Sequence, residues 1–287
     1  MGERGDPGAH YMTGEHPMAD GIHTPAGRRI WRRRSRQDTL RRFALWLVGV
    51  MIVVWAITGL DVHWPFVLDA PEQVVALAQR MMPPDWSFTD DIIPPMIETI
   101  NIATLGTILA CFLSIPVALL AAQNTTLNKT TLWIARVIVV TSRSINELVW
   151  AIIFAAIFGP GPLAGVIAIG IRSIGFTAKL IAEGIEEIDR GQVEAIEATG
   201  ASRSKVLAYG ILPQIMPTIV GVVTFRWDIN IRQSSVIGLV GAGGIGITLN
   251  SAMNLFNWPQ VTIILIAIFI VVMASEWVSD MLRKQFT

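Results

Sequence analysis

Four arginines stand deep inside apolar stretches of this chain: Arg143, Arg172, Arg226 and Arg232. A guanidinium in hydrocarbon is costly, so such groups either pair with an acid or face an aqueous path for an anion. Local spacing offers a partner to two of them. Asp228 and Arg232 are four apart, as are Arg143 and Glu147, and on a helix each pair shares a face. Arg172 and Arg226 have no acid at that spacing. Arg226, Asn230 and Gln233 fall on one helical stripe, and Ser144 and Asn146 add polar groups beside Arg143. Charge pairs that lock helices together and a cationic route for an anion are both consistent with this pattern. Arg226 leads the candidates for a route, because no local acid neutralises it. Arg232 follows, because Asp228 can neutralise it.

Other chemistry is poorly supplied. Gly241-Ala-Gly-Gly-Ile-Gly246 satisfies a dinucleotide-binding spacing, but such a site needs a strand before it and an acid some 20 residues after it. Asn257-Trp258-Pro259 and a further apolar run follow instead, so this stretch is expected to be a tight or re-entrant turn. At membrane depth such backbone needs a protein or cavity cover. No G-x-x-x-x-G-K-[ST] loop is present, so ATP hydrolysis is not expected of this chain. The lone cysteine, Cys111, allows no intrachain disulfide and no cysteine-rich metal site. His10, His16 and His23 lie in a Gly- and Pro-bearing tail that does not favour a helical metal face. No catalytic or metal-ligating residues are assigned.

The elements that must position the charges are apolar helices. The 287 residues are 52% hydrophobic with mean hydropathy +0.54, too apolar for a water-soluble domain of this length. Six spans are expected: 43–60, 99–122, 131–158, 163–181, 214–240 and 261–277, each near the length a bilayer requires. The third is impure, interrupted by Thr141–Ser144 and by Asn146-Glu147. Residues 61–95 form a long loop in which Val74, Leu77, Ala78 and Met81 share a helical face, ended by Pro83-Pro84. Residues 1–42 are read as a disordered tail ending in a basic block, with eight arginines between Arg28 and Arg42. Next to a span, that block reads as a cytoplasmic anchor meeting anionic lipid rather than nucleic acid. Lys and Arg outside the spans gather in the tail, at Lys129, Arg190, Arg203 and Lys205, and at the C-terminus. This expects both termini in the cytoplasm.

One polar stretch interrupts the apolar C-terminal part: Gly191–Pro217. Gln192–Thr199 suits a short helix. Gly200 can end it in the left-handed region. Ser202 can cap a second helix running from Arg203 to about Gly210. Here the residues resemble a family. Glu194-Ala195, Gly200 and Leu212-Pro213 follow the coupling-loop pattern of ABC importer permeases, with Ile196 where the pattern has a second Ala and Gly210 where it has Ile. Arg143–Trp150, Arg226–Arg232 and Val236–Gly246 look like the permease subunit of phosphonate importers, and the likeness runs from about Glu98 to the end.

The resemblance implies an all-α membrane protein with six transmembrane helices, like a type I ABC importer permease. It implies a permease domain over 43–287 and a cytoplasmic coupling loop over 185–212, where Glu194, Ala195, Gly200, Arg203, Leu212 and Pro213 meet an ATPase. It implies a homodimer of the permease, two ATP-binding cassette subunits that hold ATP and Mg, and an extracytoplasmic substrate-binding protein. No cofactor is implied in this chain. The solute would be phosphonate or a related phosphorus oxyanion, crossing the inner (cytoplasmic) membrane. Related permeases carry methionine and share the glycine run. A membrane enzyme and an ATP-independent channel are the readings from other classes.

Overall fold

The computed structural model describes residues 36–60 and 64–286. The histidines of the tail and the expected disorder over 1–27 lie outside the described residues. The chain divides at Leu68 and Asp69 into two units. The first holds α1 (Arg36–Gly59) and the opening of α2 (Trp64–Met81). Helix α1 begins at Arg36 rather than Phe43, so the last part of the basic block is helical. Helix α2 is the helix expected within 61–95, and it stops just before Pro83.

The second unit is also helical. A 3₁₀ turn at Trp86–Phe88 leads into α3 (Thr89–Ala121). Then come α4 (Lys129–Ser144), α5 (Glu147–Phe158), α6 (Pro162–Glu186) and α7 (Arg190–Glu197). After α8 (Arg203–Val206) follow α9 (Leu212–Ile237), α10 (Ile245–Asn254) and α11 (Trp258–Phe286). Across the described residues five helical stretches are long and apolar enough to cross a membrane, and α4 with α5 makes a sixth if the bent pair counts as one.

Helix α6 is the hub, packed against α3, α4, α5 and α9. Small residues allow this. A Cβ on Gly106 of α3 would come within 2.7 Å of Ile169 Cγ2, and one on Gly170 within 2.7 Å of Leu109 Cδ2. Close approach of this kind is how helices associate where no hydrophobic force operates between them. An alanine- and isoleucine-rich core, including Ala118, Ala135, Ala178, Ile181, Ile185 and Ile215, fills the end of the bundle nearest α7.

The impure third span is bent at its polar interruption, where α4 and α5 meet at 92°. One expectation is corrected. The second helix of the polar stretch is not a separate element. Arg203–Val206 passes through a π-helical turn, Leu207–Ile211, directly into α9. Pro213 lacks the N–H that a regular α-helical ladder would use, and the wider turn just before it accommodates the change of register.

The glycine run behaves as a covered turn. Gly241, Gly243 and Gly244 all take positive φ, which side-chain-bearing residues adopt at a cost. The turn is held from two sides. Gly161 N donates to Gly241 O at 2.9 Å, while Gly244 N and Ile245 N donate to Glu98 Oε1 at 2.9 Å and Thr99 Oγ1 at 2.8 Å. No strand precedes it, which removes the dinucleotide reading. The short helix α10 that follows was not foreseen.

Candidate functional site

The break between α4 and α5 starts from local chemistry. Asn146 is the N-cap of α5, its Oδ1 accepting from Leu148 N at 2.9 Å. An Asn side chain that bonds its own downstream backbone competes with helix continuation. Ile145 takes an extended conformation in consequence. The break interrupts the ladder near the middle of residues 129–158, where unsatisfied backbone is tolerated only against protein or a water-filled cavity.

The break also reassigns a charge pair. Arg143 and Glu147 are four apart but sit on different helices, so the expected i,i+4 pair does not form. Glu147 Oε2 instead lies 3.6 Å from Arg172 Nε on α6. Arg172 therefore has an acid partner that spacing alone did not offer. Both side chains keep about a fifth of their exposure, 21% and 18%. Arg143 lays its stem on α6, with Cγ 2.7 Å from where a Cβ on Gly175 would stand. Ser142 fixes that crossing: Oγ donates to Ile171 O at 2.5 Å and accepts from Gly175 N at 3.1 Å. Ser144 is exposed, and its hydroxyl donates to Val140 O at 2.8 Å.

Arg226 is buried, at 4% exposure. Its Nε donates to Ser173 Oγ at 2.9 Å and its Nη2 to Gln233 Oε1 at 3.1 Å. Its guanidinium carbon lies 5.5 Å from the centre of the Phe176 ring, a cation–π distance. Among the described residues no carboxylate lies within 4.0 Å of it. Arg172 and Arg226 both fall near the midpoints of their helices, level with the α4–α5 break.

Asn230 does not continue the stripe as a lining group. It is fully buried, donating to Thr107 Oγ1 at 2.8 Å and accepting from Ser173 Oγ at 3.2 Å. The Ser173 hydroxyl thus links Asn230 to Arg226 and ties α3, α6 and α9 together. Arg232 points away from Arg226, since six residues on a helix turn through about 600° and leave the two side chains about 120° apart. It pairs with Asp228 as expected, and Asp228 also accepts from Ser275 Oγ of α11 at 2.8 Å. Asp228–Arg232 is accordingly a helix-locking pair. Arg143, Ser144 and Asn146 flank the break in sequence, Arg172 reaches it through Glu147, and Gln233 is joined to Arg226. Ser173, Phe176 and the Glu147–Arg172 pairing were missed, because contacts between distant segments leave no trace in spacing.

The polar stretch forms the second candidate region. Asp189 caps α7, its Oδ1 accepting from Gly191 N at 2.9 Å. Gly200 ends the turn at φ +76°, its N–H donating to Glu197 O at 2.9 Å. Glu194, Ala195, Leu212 and Pro213 are exposed. Arg203 is committed inward: Nη2 donates to Thr125 O, at the α3–α4 connection, at 2.9 Å. Gln214, not singled out beforehand, braces the whole loop. Its Oε1 accepts from Asp189 N at 3.0 Å and its Nε2 donates to Gly210 O at 2.7 Å. A cavity of about 300 Å³ opens between α7 and the end of α3, lined in part by Leu119, Val193, Glu197 and Arg203.

Residues 114–286 match the family described as binding-protein-dependent transport system inner membrane component. The chain is 37% identical over 261 residues to the phosphite transport system permease protein PtxC of Stutzerimonas stutzeri, covering 88% of this chain and 95% of the relative. It is 36% identical over 265 residues to the phosphate-import permease protein PhnE of Mycolicibacterium smegmatis, covering 90% of this chain and 49% of the relative. Its fold is similar to that of a chain of the inward-facing MetNI methionine ABC transporter, with TM-score 0.62, 23% identity and coverage of 71% and 99%. The chain therefore belongs to the binding-protein-dependent transport system inner membrane components, as the membrane-spanning translocation subunit of an ABC importer that works with ATPase and binding-protein partners.

Proposed function

We propose that this subunit carries a phosphorus oxyanion, such as phosphonate, phosphite or phosphate, across the cytoplasmic membrane past the α4–α5 break. One observation carries the reading. Arg226 is a buried guanidinium held by Ser173 and Gln233, with no carboxylate touching it. Arg172, adjacent in sequence to the Ser173 that holds Arg226, is paired with Glu147. An anion cannot cross hydrocarbon undressed, and two guanidinium groups against one carboxylate leave a positive excess for it. A site of this kind must also let the ion go. The phosphite and phosphate transport of the relatives PtxC and PhnE is in keeping with that chemistry. A zwitterionic amino acid would not need the surplus charge.

In this reading two permease chains enclose the path, as two copies of this chain; a homologous permease as the second chain is the other arrangement. The ATPase subunits, which hold ATP and Mg, dock on α7 and its flanks at Glu194, Ala195, Gly200, Leu212 and Pro213. Arg203 serves by fixing the loop to the α3–α4 connection. Both termini and the α7 end face the cytoplasm, following the excess of Lys and Arg there. A binding protein delivers the ion from the other side.

Uptake of radiolabelled phosphite, phosphate and methylphosphonate, with D-methionine as comparison, tests the substrate class in vesicles containing the assembled importer. Saturable, ATP-dependent uptake of at least one phosphorus oxyanion, reduced at least tenfold by Arg226→Gln, is the expected result. Uptake of D-methionine alone would overturn it.

A further inference from the structure

A second cationic site lies closer to the α7 end. A cavity of about 370 Å³ opens between α4 and α6, lined by Arg136, Val139, Arg143, Lys179, Glu183 and Glu186 among others. Its size falls within the range of small-molecule sites, about 300–1,000 Å³. The two helices run antiparallel here, since Ser142 meets Ile171 and Gly175 while Ala135 and Ala182 join one core cluster. Arg136 and Arg143 are seven apart on α4, and Arg172 and Lys179 are seven apart on α6. Two helical turns return a side chain to nearly the same face, about 10.5 Å further along. The four cations therefore descend in two steps, from the break towards the α7 end.

The charges in the cavity do not cancel. Lys179 Nζ lies 3.4 Å from Glu183 Oε1, so that pair is spent. Glu186 Oε1 accepts from Gln123 N at 2.8 Å and keeps its charge, so Arg136, Arg143 and Lys179 face two carboxylates, Glu183 and Glu186. Among the described residues, neither Arg136 nor Arg143 has a carboxylate within 4.0 Å. Both are exposed. Exposed, unpaired guanidinium groups on membrane helices do not face hydrocarbon at rest; they meet water, a counter-charge or a headgroup.

We infer that this cavity is a second oxyanion site, in which Arg136 and Arg143 hold a tetrahedral phosphorus oxyanion below the break. The inference rests on the proposed route for such ions. Two sources share the chemistry: a transported ion on its way out, or the phosphodiester of an anionic lipid, for which basic pockets between helices on the cytoplasmic side are known hosts.

The test uses the assembled importer, purified in detergent and stripped of loosely held lipid. Binding of [32P]orthophosphate is measured for the native protein, Arg136→Gln, Arg136→Lys and Arg226→Gln. Retained phosphatidylglycerol is measured in parallel by native mass spectrometry. A fall of at least tenfold in orthophosphate affinity in Arg136→Gln, with binding kept in Arg136→Lys, identifies a site for the transported ion. Loss of retained phosphatidylglycerol in Arg136→Gln alone, with orthophosphate binding unchanged, identifies the same site as one for a headgroup. If neither ligand responds to Arg136→Gln or to Arg136→Gln combined with Arg143→Gln, the second site is overturned. In that case reduced uptake in Arg226→Gln leaves the route past the break standing, and normal uptake in Arg226→Gln removes the route as well.

Discussion

Ile196 faces Gly210: the Ile196 Cδ1 atom lies 3.4 Å from where a Cβ on Gly210 would stand. These are the two positions at which the coupling loop departs from the permease pattern, a large residue for a small one and a small residue for a large one. That apposition makes the two departures one exchange. Val193 lies over the same glycine, with its Cα 3.6 Å from that Cβ position. Helix α7 thus rests its apolar side on a notch in the π-helical turn.

That exchange predicts a reversal. Gly210→Ile alone forces side chain into the space Ile196 fills and should cost about 1–3 kcal/mol, the usual range for overpacking. Ile196→Ala with Gly210→Ile should recover most of the loss. Thermal unfolding of the four proteins of the cycle measures the coupling. A double mutant destabilised by the sum of the two single mutants would show that the two positions act independently.

Helix crossing at α4 and α6 gives a second expectation. A Cβ on Gly175 would stand 2.5 Å from Val139 O, and backbone cannot step aside as a side-chain tip can. Gly175→Ala should therefore lower stability by about 1–3 kcal/mol and weaken the Ser142 bonds across the crossing. At Gly221, where nothing lies within 4 Å of the same atom, alanine should stabilise by up to about 1 kcal/mol through helix propensity. Melting temperatures of the two variants should move in opposite directions.

In the proposed route, Arg226→Gln should reduce oxyanion uptake at least tenfold while the importer still assembles. Ser173→Ala should do less, because it removes one of the two side-chain anchors of Arg226 and leaves the charge. Uptake rates measured beside copurification of the ATPase separate a transport defect from a failure to assemble. Native uptake by Arg226→Gln would return this residue to a helix-locking role.

The α7 loop should transmit, not merely connect. Glu194→Ala removes an exposed acid placed to meet a basic group. Gly200→Val places a β-branched residue at φ +76°, where L side chains are disfavoured by roughly 1–2 kcal/mol. Each variant should retain ATPase activity and lose uptake. A normal ratio of solute moved to ATP hydrolysed in both would exclude α7 as the coupling element.

Orientation can be read by labelling. In a Cys111→Ser background, a cysteine at Ser202 should react with a membrane-impermeant maleimide only from the cytoplasmic side. One at Asp90, in the first turn of α3, should react only from the other side. The opposite result would invert the proposed topology and remove the cytoplasmic ATPase contact.

Local sequence determined much of this protein. The apolar runs fixed where helices form, because length and composition alone decide which segments a bilayer accepts. The segregated basic residues set the expected orientation, and Gly200, Leu212 and Pro213 marked the polar loop, since turn and helix-end chemistry acts over a few residues. The Asp228–Arg232 pair was legible for the same reason: its geometry belongs to one helix. Tertiary structure decided the rest. The sequence marked an interruption at Asn146, but only the fold turned it into a sharp bend, which handed Glu147 to Arg172 rather than Arg143. Asn230 shares a stripe with Arg226 yet is sealed against Thr107 and Ser173, because α3 and α6 cover that part of α9. A helical period tells which residues share a face, but only the packing of other helices decides whether that face is core, route or lipid.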